Sequence, residues 1–80
     1  MTSLDVVKSG IQRLYKSNPK IHISVSMSHP KISLKNEPVT ITGVYNHIFQ
    51  IEETTFGSPK RHTLQYADVL TNRIEIAELL

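Results

Sequence analysis

The block Tyr66-Ala67-Asp68-Val69-Leu70-Thr71 runs almost directly into the alternating run Arg73-Ile74-Glu75-Ile76. The first reads as one turn of helix and the second as a short strand, since the apolar positions move from helical spacing to a period of two. A single helical turn ahead of the last of several short strands is how small SH3-like and Sm-like barrels close. This one stretch therefore restricts the chain to a narrow set of β architectures.

Upstream, the same period of two recurs four times. Ile21, Ile23, Val25 and Met27 alternate with His22, Ser24, Ser26 and Ser28, the pattern of a half-buried strand. Ser28-His29-Pro30 turns the chain, and Lys31 to Leu34 begins a second strand with Ile32 and Leu34 on one face. Asn36-Glu37-Pro38 interrupts it, and Val39 and Ile41 resume it up to Val44 and Tyr45. A strand broken by proline and resumed in the same direction predicts a long, sharply bent element, because proline is tolerated there only at a bulge or an edge. Tyr45-Asn46-His47 is a tight turn, Ile48 to Glu53 a third strand, and Thr54 to Pro59 the longest loop. Lys60 to Gln65 is the fourth strand, and Arg73 to Ala77 the fifth.

The amino-terminal stretch differs. Leu4, Val7, Ile11, Leu14 and Tyr15 are spaced by threes and fours, which draws one helical stripe over about residues 4–16. Thr2 with Asp5 forms a weak capping box, Ser3 is the other candidate cap, and Ser17-Asn18-Pro19 ends the helix. Its polar face of Lys8, Gln12, Arg13 and Lys16 lacks the dense basic face of a membrane-surface helix. The reading is a short amphipathic helix that caps one end of a barrel.

The expected fold is thus mainly β: a small, five-stranded, SH3-like/Sm-like, partly open barrel with an N-terminal α-helix. It forms one domain over residues 1–80, with strands over about 21–77. The predicted core is Ile23, Val25, Ile32, Leu34, Val39, Ile41, Phe49, Ile51, Leu64, Val69, Leu70, Ile74 and Ile76, with Leu4, Val7, Ile11 and Leu14 docked on top. A chain of this size sustains a stability of roughly 3–5 kcal/mol. The absence of cysteine removes a disulfide framework and thiolate metal sites, and it fits a reducing, cytoplasmic setting. No signal peptide is expected from Met1-Thr2-Ser3-Leu4-Asp5, nor a membrane span from apolar runs this short.

Three segments resemble a known family. Tyr66-Ala67-Asp68-Val69-Leu70-Thr71 with Arg73-Ile74-Glu75-Ile76 resembles the C-terminal signature of the Veg family of small Firmicute proteins. Tyr45-Asn46-His47-Ile48-Phe49 is similar to that family's Tyr-Pro-Ser-Val-Phe turn and strand, and Leu4-Asp5-Val6-Val7-Lys8 to its N-terminal helix. The resemblance runs in order from about Leu4 to Ile76. It implies a non-enzymatic stimulator of biofilm formation that acts through regulation of gene expression. The chain departs from the family between the first two strands. Veg-like chains carry a Gly-Arg-Arg-Lys-type turn there, whereas Ser28-His29-Pro30-Lys31 keeps only Lys31 as a permanent positive charge.

The residues offer little catalytic chemistry. His22, His29, His47 and His62 are not spaced as metal ligands, and no phosphate loop, nucleophile elbow or linked carboxylate pair is present. Asp68 reads as a cap or as an ion-pair partner of Arg73 or Arg61 rather than a general base. No enzyme activity, metal or cofactor is expected. A protein partner is the leading expectation, with His29, Lys31, Tyr45, His47 and Phe56 as contact candidates. Self-association through open barrel edges is a further possibility. The alternative is RNA or DNA held on a basic face of Lys16, Lys20, Lys31, Lys35, Lys60 and Arg61, with Tyr45 and Phe56 for stacking. The net charge of +2 is modest for such a role, and Glu52 and Glu53 would dilute the field.

Overall fold

Alternation along five segments becomes a single antiparallel sheet. The computed structural model describes residues 3–28, 31–53, 57 and 59–79, and all that follows concerns these. The elements are α1 (Ser3–Ser17), β1 (Lys20–Ser28), β2 (Lys31–Val44), β3 (Ile48–Glu53), β4 (Lys60–Gln65), α2 (Tyr66–Leu70), β5 (Ile74–Ile76) and a 3-10 turn, Ala77–Leu79. The strand order is β4-β3-β2-β1-β5, so β4 and β5 are the two ends of a sheet that curls without closing. This is the expected partly open five-stranded barrel, with α1 as its N-terminal helix. No helix among the described residues is long and apolar enough to cross a membrane.

The bend expected in the second strand is two bulges. Ile23 pairs with Glu37 but Val25 pairs with Leu34, so β2 carries one more residue than β1 across that interval. Asn36 absorbs the excess with φ 48°, a left-handed conformation that asparagine tolerates better than most residues. Its N–H donates to Ser24 Oγ at 2.9 Å, which replaces a lost ladder bond. Pro38 follows within two residues and lies one position beyond the last β2–β3 pair, Val39 with Glu53. Its missing N–H therefore interrupts no β2–β3 pairing. The second bulge is at Thr42, between the pairs Ile41–Ile51 and Gly43–Gln50.

The buried core comprises Ile11, Ile21, Ile23, Val25, Ile32, Val39, Ile41, Phe49, Ile51, Leu64, Tyr66, Ile74 and Ile76. Val7, Leu14, Leu34 and Val69 are half-buried against it, as helix and strand periodicity requires. Two expected members are instead exposed: Leu4 at 45% and Leu70 at 41%. Leu4 lies one turn before Val7 in the first turn of α1. Leu70 follows Val69, and one residue of helix rotates a side chain by about 100°, away from the direction that Val69 takes into the core. Ile21 and Tyr66 replace them. The Tyr66 ring stacks on Phe49 with centroids 5.5 Å apart and planes 15° apart, so the residue that opens α2 also plugs the barrel. The carboxyl end is tied back by Glu78, which accepts from the His22 N–H at 2.9 Å and faces His22 Nδ1 at 3.0 Å.

Candidate interaction surface

Charge on the sheet is set by register. The β3–β4 ladder places Glu52 opposite Arg61 and Glu53 opposite Lys60. Arg61 Nη2 lies 3.4 Å from Glu52 Oε2, and His62 Nε2 lies 2.5 Å from Glu53 Oε2. On the α2–β5 side, Arg73 Nη1 reaches Asp68 Oδ1 at 3.5 Å, one of the roles expected for Asp68 beside a cap or a pairing with Arg61. The acids expected to dilute a basic face thus lie against Arg61 and His62.

The six basic candidates are not gathered into one stripe. Lys20 begins β1 and pairs with Thr40, while Lys31 pairs with Ser28 at the far end of the same nine-residue strand. At about 3.3 Å per residue the two ends are about 26 Å apart. Lys35 stays with Lys31 near the β1–β2 hairpin, and Lys16 stays with Lys20 at the end of α1. Lys60 and Arg61 open β4 beside their glutamates. Of the contact candidates, Lys31 is exposed at the hairpin, and Tyr45 and His47 are exposed in the β2–β3 turn. His29 and Phe56 lie outside the described residues.

The β2–β3 turn is anchored from below. Tyr66 Oη donates to the Tyr45 carbonyl at 2.6 Å, and the Tyr66 N–H donates to the His47 carbonyl at 3.4 Å. Burial pushes the Tyr66 phenol pKa up. Lys8 Nζ donates to Asn46 Oδ1 at 3.4 Å and Tyr15 Oη to the Thr42 carbonyl at 3.4 Å, so α1 runs along the outgoing half of β2. Tyr45 folds back over Gly43, where a Cβ would meet its ring and hydroxyl at 2.7–3.0 Å. Tyr45 nevertheless remains 52% exposed.

The opposite side of the sheet is left open. β5 pairs with β1 only from Ile23 to Val25, with one further bond from the Ser26 N–H to the Arg73 carbonyl at 2.9 Å. Beyond it, the outer edge of β1 at Met27 and Ser28 has no neighbouring strand among the described residues. β4 is likewise paired on one side alone, with β3. Between these edges lies a cavity of about 480 Å³ lined by Ser26, Met27, Ser28, Thr63, Gln65, Asp68 and Arg73. A smaller apolar groove of about 240 Å³ lies between α1 and β5, with Val6, Val69 and Leu79 on its walls.

The seam is not legible in the sequence. Ser26, Ser28, Thr63 and Gln65 are ordinary outward positions of alternating strands, and which edges stay unpaired is a property of topology. The short Arg73–Ala77 run was the available signal, since a strand so short cannot cover all of β1. Among the described residues no three histidine, aspartate or glutamate side chains converge as a metal site would require.

The fold and seam define the class: a small, partly open β-barrel that presents sheet edges. Comparison with protein-family models, with curated proteins and with solved structures finds no match for this chain.

Proposed function

We propose that the chain is a non-enzymatic, Veg-like regulatory module that acts on gene expression, in a biofilm-related setting, through protein contacts. The observation that carries this reading is the seam: two strand edges face one another across a polar cavity, with backbone groups available to a partner. The bases of β4 and β5 support it, because Arg61, His62 and Arg73 already face carboxylates. Asp68, the best-placed acid for catalysis, is engaged by Arg73. The resemblance in the Tyr66–Thr71 block supplies the regulatory setting.

A second reading, RNA or DNA binding, is favoured by one place. Lys16 and Lys20 have no carboxylate partner among the described residues and lie at the end of the barrel that carries the exposed rings of Tyr15 and Tyr45. Lysine beside an exposed aromatic face suits single-stranded nucleic acid.

One experiment separates the two. The full chain, carrying a photo-crosslinking residue at exposed Tyr45 or at Thr63, is irradiated in the cell that makes it. In parallel, purified protein is titrated into labelled single-stranded RNA and duplex DNA. Discrete protein adducts that survive nuclease, with no nucleic-acid binding at low salt, are the expected result. Micromolar binding that weakens about tenfold or more between roughly 50 and 200 mM salt would overturn it in favour of nucleic acid.

A further inference from the structure

The seam between β1 and β4 has the form of a vacant strand position. Among the described residues β4 is hydrogen-bonded on one side only, and so is β1 beyond Ser26, where β5 no longer covers it; a strand edge left open is a template for pairing. A strand occupies about 4.8 Å across the sheet, ~10 Å through it and ~3.3 Å per residue. At those dimensions the cavity of about 480 Å³ holds about three residues of extended chain. Its walls suit a polar backbone: Ser26, Ser28, Thr63 and Gln65 carry short hydrogen-bonding side chains.

Charge selects the occupant. Arg73 is 63% exposed and holds Asp68 by a single 3.5 Å contact, whereas the Asp68 side chain is 14% exposed. An incoming chain therefore meets the guanidinium before the carboxylate, and most of its donors remain available for a second acid. Lys31, on β2 opposite Ser28 and one strand beyond the seam, has no carboxylate partner among the described residues and adds a second cation at that end of the sheet.

We infer that the seam between β1 and β4 binds an extended, acid-bearing segment of a partner protein as an added strand, with a partner carboxylate on Arg73. The inference deepens the protein-contact reading and rests on it. Backbone bonds to the open edges provide affinity, and the pairing with Arg73 and Lys31 sets which segments are accepted.

The test is a displayed library of random short peptides selected on the intact protein, followed by amide exchange with a synthetic copy of the selected peptide. Peptides with Asp or Glu at alternate positions should be enriched, and should protect the amides of Ser28 and of Thr63–Gln65. Arg73→Glu should weaken the selected peptide by about tenfold or more and shift selection toward Lys and Arg. If Arg73→Glu does not fold, Arg73→Gln and Lys31→Glu should each weaken the same peptide with an unchanged melting temperature. No enrichment, enrichment without charge preference, or protection confined to the α1–β5 groove overturns the inference. Protection of the seam amides by raised protein concentration alone also overturns it, because the occupant is then a second copy. Cellular protein adducts that map away from the seam leave the regulatory reading standing and remove this one. Salt-sensitive RNA binding without protein adducts removes both.

Discussion

The closed end of the barrel and its open seam are made of the same alternating strands, yet they do opposite things with their polar groups. At the closed end, Ile11 and Tyr66 cover the core, and the turn carbonyls of Tyr45 and His47 each accept a bond from Tyr66. At the seam, Ser26, Ser28, Thr63 and Gln65 face a cavity, and β4 and the last residues of β1 have no strand on that side among the described residues. Apolar area and satisfied backbone groups concentrate where the molecule is stable, and unsatisfied edges concentrate where it can take a partner. Stability and recognition are thus divided between two places rather than shared across the surface. Substitutions at the two places should therefore behave differently.

The largest contrast is between Phe49→Ala and Thr63→Ala. Phe49 is fully buried and carries the ring stacked on Tyr66. Its truncation should cost about 3–5 kcal/mol, which matches the whole stability of a domain this size, and should leave the chain unfolded by circular dichroism. Thr63 is exposed beside the seam, and its truncation should change stability by less than about 0.5 kcal/mol. A folded Phe49→Ala protein, or a strongly destabilised Thr63→Ala, would dissolve the distinction between the two regions.

Tyr66→Phe asks how much of the closed end is polar anchoring rather than packing. The variant keeps the ring on Phe49 but removes the donor to the Tyr45 carbonyl. The expected loss is about 1–2 kcal/mol in denaturant midpoint analysis. It also has a pH signature. Because burial raises the Tyr66 pKa, the folded state favours the neutral phenol. The resulting stability is present in full below the ordinary tyrosine value and lost as pH rises through the folded-state value. Alkaline destabilisation of the parent protein should shrink in Tyr66→Phe. Equal loss in both would show that the Tyr66 phenol is not what titrates with folding.

The same anchoring explains what was legible in the sequence. Strand existence was readable because Ile21, Ile23 and Val25, or Phe49 and Ile51, repeat every two residues against a single core. The bend in β2 was readable from Pro38, since proline cannot sit in an ordinary ladder. Tyr66 was not assigned to the core because a tyrosine that opens a helical turn gives no periodicity, and its burial depends on Phe49 lying opposite. Leu70 was misassigned for the converse reason: it looks apolar in a one-turn helix too short to define a face. The seam was illegible because it is made by strands that fail to meet. Of the contact candidates, Tyr45 stands in a turn that its sequence setting marks, and the structure adds what that turn rests on, Gly43 and the Tyr66 hydroxyl.

Thr42→Val probes the bulge on the closed side. Thr42 Oγ1 is buried with no hydrogen-bond partner among the described residues. Replacing that hydroxyl by a methyl group removes an unsatisfied polar atom and should stabilise the protein by about 1 kcal/mol, read as a higher melting temperature. Unchanged or lower stability would mean that the hydroxyl contributes to the bulge, and that the closed end is less dry than its carbon packing implies.

The smallest expected effect tests whether the chain end belongs with the closed region. Burial by itself would raise the Glu78 carboxyl pKa. The hydrogen bonds from the His22 side chain and backbone N–H outweigh it, and the pKa lies below the ordinary carboxylate value. A lowered pKa means that the stabilisation is complete above the unfolded-state value, about 4.5, and is lost as pH falls through the folded-state value. Glu78 lies close to solvent, so this loss should be small beside that of Phe49→Ala and is best read locally. Protection of the His22 amide, taken relative to its intrinsic exchange rate, should fall on acidification below about pH 4.5 in the parent protein. In Glu78→Gln that dependence should disappear, because the amide carries no charge to titrate. If His22 exchange is the same in both proteins across the acidic range, the Ala77–Leu79 turn is not pinned to β1 by this carboxylate. The closed region would then end at Ile76.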